Sequence, residues 1–539
     1  MEKILLVEPD YKNKFPPIGL MKIASYHRGK KDYVEFYKGK APYTAIINFD
    51  RVYITSLFTF YYDLSVDTMR HYLNHMHKDS VYVGGISATL LAEKYKKELK
   101  IDNVITGQLT DSSLIGYKDS VNIDELPLDY DILDDINYKY PIGDNVFIYT
   151  TRGCLRGCKF CAVSRLEPRF EDTNHIVNQI KTIRNKYGDK RNVFIMDNNV
   201  LYSRELKKVI QDLNSIGYIR NTPDYIEPNY FEIMLKKIER RKEYNNKYDK
   251  QIEELIEYLN KFRSRVKSGK LMRRLNEILN YINKEGNKIK ALKEARGETI
   301  EILEKYRFKQ KLQRYVDFNQ GLDARLLTEE KMKIMSNIAI KPFRLAYDNI
   351  DGEKAYKRAL NNAYSHGVKY FSNYMLYNYK DSPYDLWKRL YNTIILYENK
   401  LDIQGFSFPM KYAPIDMTNR GYIGKKWNKK YLSAINVILN VTKGVVAKEK
   451  DFFCEAFGAN KKEFIEILTM PNQFIKYRTL FKKSGHIKTW KRKYNSMISR
   501  EKKILLEYLC GLIDKNKIKN KKIISIIELY SITMPRAKI

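Results

Sequence analysis

A chain of 539 residues, 44 % of them hydrophobic, is long enough for two to four domains with ordinary buried cores. Lys and Arg outnumber Asp and Glu by 98 to 64, a formal net charge of +34, and no apolar run approaches the length of a membrane span. Five cysteines exclude a disulfide-stapled scaffold, and Met1-Glu-Lys-Ile-Leu-Leu-Val7 reads as a buried strand rather than a signal peptide, so a cytoplasmic protein with no membrane partner is expected.

Residues 1–125 alternate short apolar strands, at Ile4–Val7, Val34–Tyr37, Arg51–Thr55, Val81–Val83 and Asn103–Ile105, with helical patterns near Ile18–Tyr26, Leu64–His77 and Ala88–Leu99. Alternation at this interval predicts a doubly wound, Rossmann-like parallel sheet. The acidic, proline-containing stretch that runs into 126–144 reads as a linker. From 145 to 412, six strand–helix units follow, with strands at Val146–Thr150, Asn192–Met196, Arg314–Phe318, Phe343–Tyr347, Lys369–Leu376 and Ile403–Phe408. They fit a partial (β/α)6, TIM-like barrel.

Residues 230–310 interrupt that alternation with long charged helices. Leu235, Ile238, Tyr248, Ile252, Leu255, Leu259, Phe262 and Val266 form one apolar stripe. Leu271, Leu275, Ile278, Ile282, Ile289 and Leu292 form another, beyond a Lys267-Ser-Gly-Lys270 turn. A coiled-coil-type helical hairpin is expected, docking a protein partner or standing as a neutral insertion. Residues 413–539 read as a helical, basic C-terminal region. From Phe474 onward, Lys482-Lys483, Lys491-Arg-Lys493, Lys502-Lys503 and Lys515 through Lys522 interleave with Tyr477, Phe481, Trp490 and Tyr494. That mix suits phosphate contact plus base stacking, so a nucleic-acid partner is expected, against the plain alternative of lysine-rich coding.

The strongest chemical signal lies in one loop. Thr151-Arg-Gly-Cys-Leu-Arg-Gly-Cys-Lys-Phe-Cys161 sets Cys154, Cys158 and Cys161 in a C-x3-C-x2-C run flanked by glycines. Three thiolates can hold three irons of a cubane cluster and leave the fourth iron open, as catalytic metal sites leave a position open. A structural zinc site is the alternative and wants four ligands; the nearest further candidate is His175, and Cys454 and Cys510 are remote. Reacting groups of βα barrels collect at the carboxyl ends of strands. There this chain has Asp197-Asn-Asn199, then Asn319 and Gln320 with Asp323 and Arg325, then Asp348 and Asn349, with Tyr377 and Asn378 as weaker candidates. Asp323 and Arg325 could instead pair with each other, and Arg344 could face either side of its strand.

The cysteine spacing, with Phe160 just before the last thiol, resembles the radical S-adenosylmethionine (SAM) superfamily. The resemblance implies a [4Fe-4S] cluster on Cys154, Cys158 and Cys161, with SAM chelated to the open iron. It implies reductive cleavage of SAM to a 5′-deoxyadenosyl radical, fed by a one-electron donor such as flavodoxin or ferredoxin. Phe160 would shape the cluster and adenine surroundings. Asp197, Asn198 and Asn199 stand where the family's Gly-Gly-Glu-type stretch contacts the SAM amino group, Asp197 offering a carboxylate to that ammonium. Asn319, Gln320, Asp323 and Arg325 would meet the SAM carboxylate or ribose, and Asp348 and Asn349 would face substrate.

The N-terminal sheet resembles the cobalamin-binding-type domain that precedes many radical SAM domains, on Pro16-Pro-Ile-Gly-Leu20, Ser56 and Gly84-Gly85. The Asp-x-His-x-x-Gly element that supplies a cobalt ligand is absent, its place reading Glu8-Pro-Asp-Tyr-Lys-Asn-Lys-Phe15, and His71, His75 and His77 do not replace it. Cobalamin therefore stays open. The expected activity is C–H modification, methylation included, of an unassigned substrate. A tRNA methylthiotransferase would need three further cluster cysteines upstream, and none precedes Cys154. The non-enzymatic alternative is an iron-sulfur nucleic-acid-binding or scaffolding protein without SAM chemistry.

Overall fold

The computed structural model describes residues 1–173, 175–244 and 248–534. They fold as mixed α/β structure in two compact units. The first comprises 1–320 with 337–340 and 415–419, and the second 321–336, 341–414 and 420–539. Among the described residues no helix is long and apolar enough to cross a membrane.

The first unit opens with strands β1 (Lys3–Glu8), β2 (Tyr33–Lys38), β3 (Arg51–Thr55) and β4 (Val81–Gly84), all parallel in the order β2-β1-β3-β4. Val104 bridges Val83 in parallel and continues the sheet where a fifth strand was expected. Ile4 and Leu6 are as buried as Leu5 and Val7, so β1 is covered on both faces, which is why it reads as an unbroken apolar run. Helices Ile18–Gly29, Tyr62–Leu73 and Ala92–Leu99 supply the covering layers. Tyr62, Val66, Met69 and Tyr72 pack against the β1, β3 and β4 side chains.

The first unit also holds a second parallel sheet. Strand β5 (Val146–Ile148) leads into a two-residue antiparallel ribbon, β6 (Thr151–Arg152) with β7 (Glu171–Asp172). Strands β8 (Val193–Ile195) and β9 (Val316–Phe318) join β5 in the order β5-β8-β9. In the second unit, β10 (Leu322–Asp323), β11 (Phe343–Ala346), β12 (Tyr370–Tyr377) and β13 (Gln404–Lys411) run parallel in sequence order, with β14 (Val446–Ala447) antiparallel at the edge. All six strands expected between 145 and 412 therefore form, each parallel to its neighbours from that set.

The insertion is not a two-helix coiled coil. Five helices, Tyr230–Tyr244, Asp249–Phe262, Gly269–Lys284, Lys288–Glu294 and Arg296–Tyr306, close around one core. Both apolar stripes lie in it: Leu255, Leu259, Leu275, Ile282 and Leu292 are fully buried together with Ile302. The two short helices after Lys284 bring a further apolar face, and a core shared among five helices leaves no extended coiled-coil seam.

The acidic linker is not a solvated spacer either. The Arg240 guanidinium donates twice to the Asp131 carboxylate (2.8 and 2.9 Å), Arg241 donates to Asp135 (2.7 Å), and Lys237 pairs with Asp134 (2.8 Å). Arg28 of the N-terminal domain pairs with Asp129 at 3.2 Å. Burial of Asp129, Asp131 and Asp135 requires such partners, because an unpaired carboxylate out of water costs several kcal/mol.

In the second unit the C-terminal region is helical, as expected, but its aromatics are mostly core. Trp490 is 0 % exposed and donates through Nε1 to the Tyr530 hydroxyl at 3.3 Å, while Phe481 and Tyr494 are also buried and Tyr477 is half-buried. The expectation of base stacking fails for Phe481, Trp490 and Tyr494, whose faces are taken by packing; the charge contrast remains.

Candidate functional site

The cysteine loop is the segment between β6 and β7, tied at its base by the pairing of Thr151 with Asp172 and Arg152 with Glu171. Thr173 adds a backbone bond to the Thr150 carbonyl (2.9 Å) and a hydroxyl bond to the Tyr149 carbonyl (2.8 Å). Inside this neck Gly153 takes φ +72°, and a Cβ there would lie 1.9 Å from the Arg169 carbonyl oxygen. Only glycine fits. The Gly153 amide donates to Glu167 Oε2 at 2.6 Å, so the residue before Cys154 is held from both sides.

Cys154, Cys158 and Cys161 are of intermediate exposure, and the Cys161 amide closes a turn on the Cys158 carbonyl at 2.9 Å. Phe160 is half-buried beside the third thiol. Among the described residues, only Glu2, His27 and Asp32 bring three metal-type ligand atoms within 4.8 Å of one another. His175, the further zinc-ligand candidate, pairs with Glu125 at 3.5 Å instead.

The carboxyl end of β8 supplies the neighbours of this loop. Asp197, 4 % exposed, accepts from the Thr150 amide at 2.6 Å and from the Thr150 hydroxyl. Burial pushes its carboxyl up to about 6, against the downward pull of the Thr150 and Thr151 donors. The expectation of a carboxylate presented to an ammonium is thus corrected: this group caps the end of β5. Asn198 donates to Glu167 Oε2 at 2.6 Å. Asn199 points its Nδ2 at Cys154 Sγ, 3.9 Å away, and its Oδ1 is buried without a hydrogen-bond partner. That oxygen is open to a donor from outside the chain. Three thiols in a C-x3-C-x2-C run on one loop, with the Asn199 side chain at their edge, are a donor set that fits three irons of an iron-sulfur cluster.

At the end of β9 the Asn319 amide donates to the Ile195 carbonyl at 3.0 Å, and Gln320 is exposed. In the second unit, Arg325 donates Nε and Nη2 to the two Asp323 carboxylate oxygens at 2.7 and 2.9 Å, and Asp323 also accepts the Arg325 amide at 3.1 Å. This is the mutual pairing left open by the sequence. Asp348 accepts from the Leu376 amide at 3.2 Å, and burial raises its carboxyl above the usual range. Asn349 is spent locally: its Oδ1 accepts the Asp351 amide at 3.2 Å and caps the turn Ile350–Gly352. Arg344 lies on the sheet face opposite Phe343 and Leu345, with Nη1 3.3 Å from the Ser372 hydroxyl. Asn378 sits at φ +70°, fully buried, and its amide ties Tyr412, Tyr422 and Gly424.

Sequence reasoning missed Glu167 and Arg152. Neither belongs to a spacing pattern; the trace available was the Arg-Gly pair directly before Cys154.

The N-terminal features that resemble a corrinoid domain serve internal contacts. The Ser56 hydroxyl accepts from the Ala88 amide (2.9 Å) and donates to the Gly84 carbonyl (3.0 Å). A Cβ on Gly85 would lie 2.5 Å from the Ser56 carbonyl oxygen, so the chain itself fills the room that glycine leaves. His71 bonds the Ala41 carbonyl at 2.7 Å, His75 lies against Tyr43, and His77 sits beside Asp79. The three histidines are thus engaged in local contacts.

Residues 148–296 match the family model described as Radical SAM superfamily. That stretch, which holds Cys154, Cys158 and Cys161, is similar to domains of that superfamily. Over 139 residues it is 31 % identical to a protein of Methanocaldococcus jannaschii named as a methylthiotransferase, a match covering 21 % of this chain and 30 % of that protein. The chain thus spans under a third of the length of the curated relative it matches. A solved structure of the radical SAM methyltransferase TsrM from Kitasatospora setae, with cobalamin and a [4Fe-4S] cluster bound, is similar at a TM-score of 0.43 and 10 % identity over 77 % of each chain.

Proposed function

We propose that this chain is a radical SAM enzyme in which Cys154, Cys158 and Cys161 hold three irons of a [4Fe-4S] cluster. The observation that carries the reading is the cysteine loop, three half-exposed thiols in a C-x3-C-x2-C run held by a two-residue ribbon, with the buried Asn199 side chain beside the first of them. When bound and reduced, the cluster and SAM supply a 5′-deoxyadenosyl radical able to take hydrogen from an unactivated carbon. The chain's own residues position and shield. Glu167 fixes the Gly153 amide so that Cys154 leaves the ribbon in one direction. Asn199 Oδ1 takes the role expected of Asp197 and accepts from the SAM ammonium. Phe160 is the proposed wall beside the adenine. Asn319 and Gln320, at the end of β9, remain the proposed contacts to the SAM carboxylate and ribose. A flavodoxin- or ferredoxin-type protein is the proposed electron source. The reaction is C–H modification, methylation included. Methylthio transfer is not proposed, because no cysteine precedes Cys154.

The test is anaerobic reconstitution with iron and sulfide, followed by SAM and dithionite. Formation of 5′-deoxyadenosine by the wild type, and its loss in Cys158→Ala, support the reading. Colourless protein holding zinc overturns it.

A nucleic-acid partner is proposed for the C-terminal helices on charge alone. Helix His486–Asn495 buries Ile487, Trp490 and Tyr494 and turns Lys488 and Arg492 outward. Lys521 and Lys522 open helix Lys521–Ile527, where cations oppose the helix dipole and cost a few tenths of a kcal/mol each. Phosphate contact without stacking predicts affinity for mixed-sequence RNA that falls about tenfold or more between 50 and 200 mM salt. Salt-insensitive binding, or none at low salt, refutes it.

A further inference from the structure

A row of alternating charges runs from the N-terminal domain to the first cysteine. Lys22, on helix Ile18–Gly29, bonds Asp124 Oδ1 at 2.7 Å. Asp124 accepts Arg152 Nη2 on both carboxylate oxygens at 2.5 Å. Arg152 Nη1 bonds Glu167 Oε1 at 2.8 Å, and Glu167 Oε2 holds the Gly153 amide and Asn198 at 2.6 Å each. The four side chains are 8 %, 17 %, 9 % and 12 % exposed in that order. The Arg152 guanidinium lies 3.2 Å from the centre of the Tyr149 ring, and the Lys22 ammonium stands 5.0 Å from the same ring.

Two features separate this row from an ordinary internal ion pair. Its charges sum to zero only when all four members are present, so removing either end leaves an uncompensated charge out of water. Its last member spends one oxygen on Arg152 and the other on the two groups that frame Cys154, the Gly153 amide before it and Asn198 beside its neighbour Asn199.

We propose that Glu167 is the positioning residue of the cysteine loop and that Lys22, through Asp124 and Arg152, sets how firmly Glu167 holds it. The N-terminal domain thereby becomes part of the cluster site without touching a thiol. The inference rests on the radical SAM reading only for what the loop binds; the coupling itself is a property of the metal-free chain.

The experiment therefore begins with full-length apo-protein. The rate at which a disulfide reagent modifies the loop thiols is measured for wild type, Glu167→Gln, Lys22→Met and Lys22→Arg, with Cys454 and Cys510 replaced by Ser in every background. Glu167→Gln should raise the rate roughly tenfold, the factor carried by one hydrogen bond to a charged group. Lys22→Met should raise it in the same direction by a smaller factor, Lys22→Arg should restore the wild-type rate, and Glu167→Gln/Lys22→Met should match Glu167→Gln alone. After reconstitution, iron per chain should fall in the same order, and the cluster's reduction potential, followed by electron paramagnetic resonance, should shift in Glu167→Gln and Lys22→Met but not in Lys22→Arg. Unchanged thiol rates in Glu167→Gln overturn the proposal, as does a Lys22→Met protein equal to wild type. Should Glu167→Gln fail to fold, the Lys22 pair of variants decides alone. Altered thiol rates without 5′-deoxyadenosine formation by the wild type would sink the enzyme reading and leave this coupling standing.

Discussion

Gly153→Ala is the most demanding substitution this loop offers. The residue sits at φ +72°, and the added methyl carbon would lie 1.9 Å from the Arg169 carbonyl oxygen, 2.7 Å from its carbon and 3.0 Å from the Glu167 carbonyl oxygen. All three are backbone atoms, so no rotamer change relieves them and the strand of loop at 167–169 must retreat by about 1 Å. The left-handed conformation costs alanine about 1–2 kcal/mol and the displaced backbone about 1–3 more, which together put the loop's native geometry roughly 2–5 kcal/mol higher. A retreat at 167–169 also carries Glu167 away from the Gly153 amide. The expected result is protein that still folds, because the neck of the loop rather than a domain core is disturbed, but that takes up well under half the wild-type iron on anaerobic reconstitution. Gly157→Ala is the internal control: no atom lies within 4 Å of the place its added methyl would take, and iron uptake should be unchanged. Wild-type iron content in Gly153→Ala, with the visible absorption of a cluster, would refute the reasoning.

Asn199→Ala removes the orphaned acceptor and should raise the KM for SAM about tenfold with iron content unchanged; an unaltered KM measured by 5′-deoxyadenosine formation refutes the assignment. Asp135 is pushed up to about 6 by burial despite Arg241. Its folded value lies above the unfolded one, so its contribution to stability is largest below about pH 4 and declines as pH climbs through about 6. Arg241→Met lifts the carboxyl further, so the variant should lose little at pH 5 and about 3 kcal/mol at pH 8 by urea midpoint; equal losses at both pH values count against it. Lys430 is 6 % exposed, bonds Asn472 at 2.9 Å, and burial lowers its ammonium to about 7. The native state therefore sheds a proton that the unfolded chain keeps, and stability should rise as pH climbs from about 7 toward 10. Lys430→Met should flatten that rise and add about 1–3 kcal/mol at pH 7; a less stable variant at pH 7 shows the lysine to be useful where it lies.

The strands were legible because each is a short run rich in apolar residues between polar turns; β1, β5 and β9 are buried on both faces, β1 and β5 reading as unbroken apolar runs, while β2, β4 and β11 keep a period-two alternation. The insertion was legible in its faces and not in its architecture. An apolar stripe says which side of a helix is covered, and nothing in the 230–266 stripe says that helix 296–306 shares the covering. The linker misled for a different reason. Asp131, Asp134 and Asp135 look like solvated charge, and their partners Arg240, Lys237 and Arg241 stand about a hundred residues away, where no local pattern connects them. The C-terminal aromatics could have been read better. Ile487, Trp490 and Tyr494 follow the i, i+3, i+7 spacing of a buried helix face, so their periodicity already argued for core over a stacking platform.

The proposal that Asn199 rather than Asp197 meets the ligand's amino group draws on the physics of burying charge. A carboxylate at 4 % exposure is tolerable only with donors in place, and the Thr150 amide and hydroxyl are the donors at hand, so Asp197 turns inward to the end of β5. Asn199, neutral and 5 % exposed, can leave its oxygen unbonded at a penalty of about 1–3 kcal/mol, which a cationic donor arriving beside Cys154 would offset. A carboxylate left open in the same place would bind such a donor more strongly, but it would have to be neutralised by a proton whenever the site stood empty. An amide holds the acceptor ready at any pH, and that is the physical ground for assigning the ligand's amino group to Asn199.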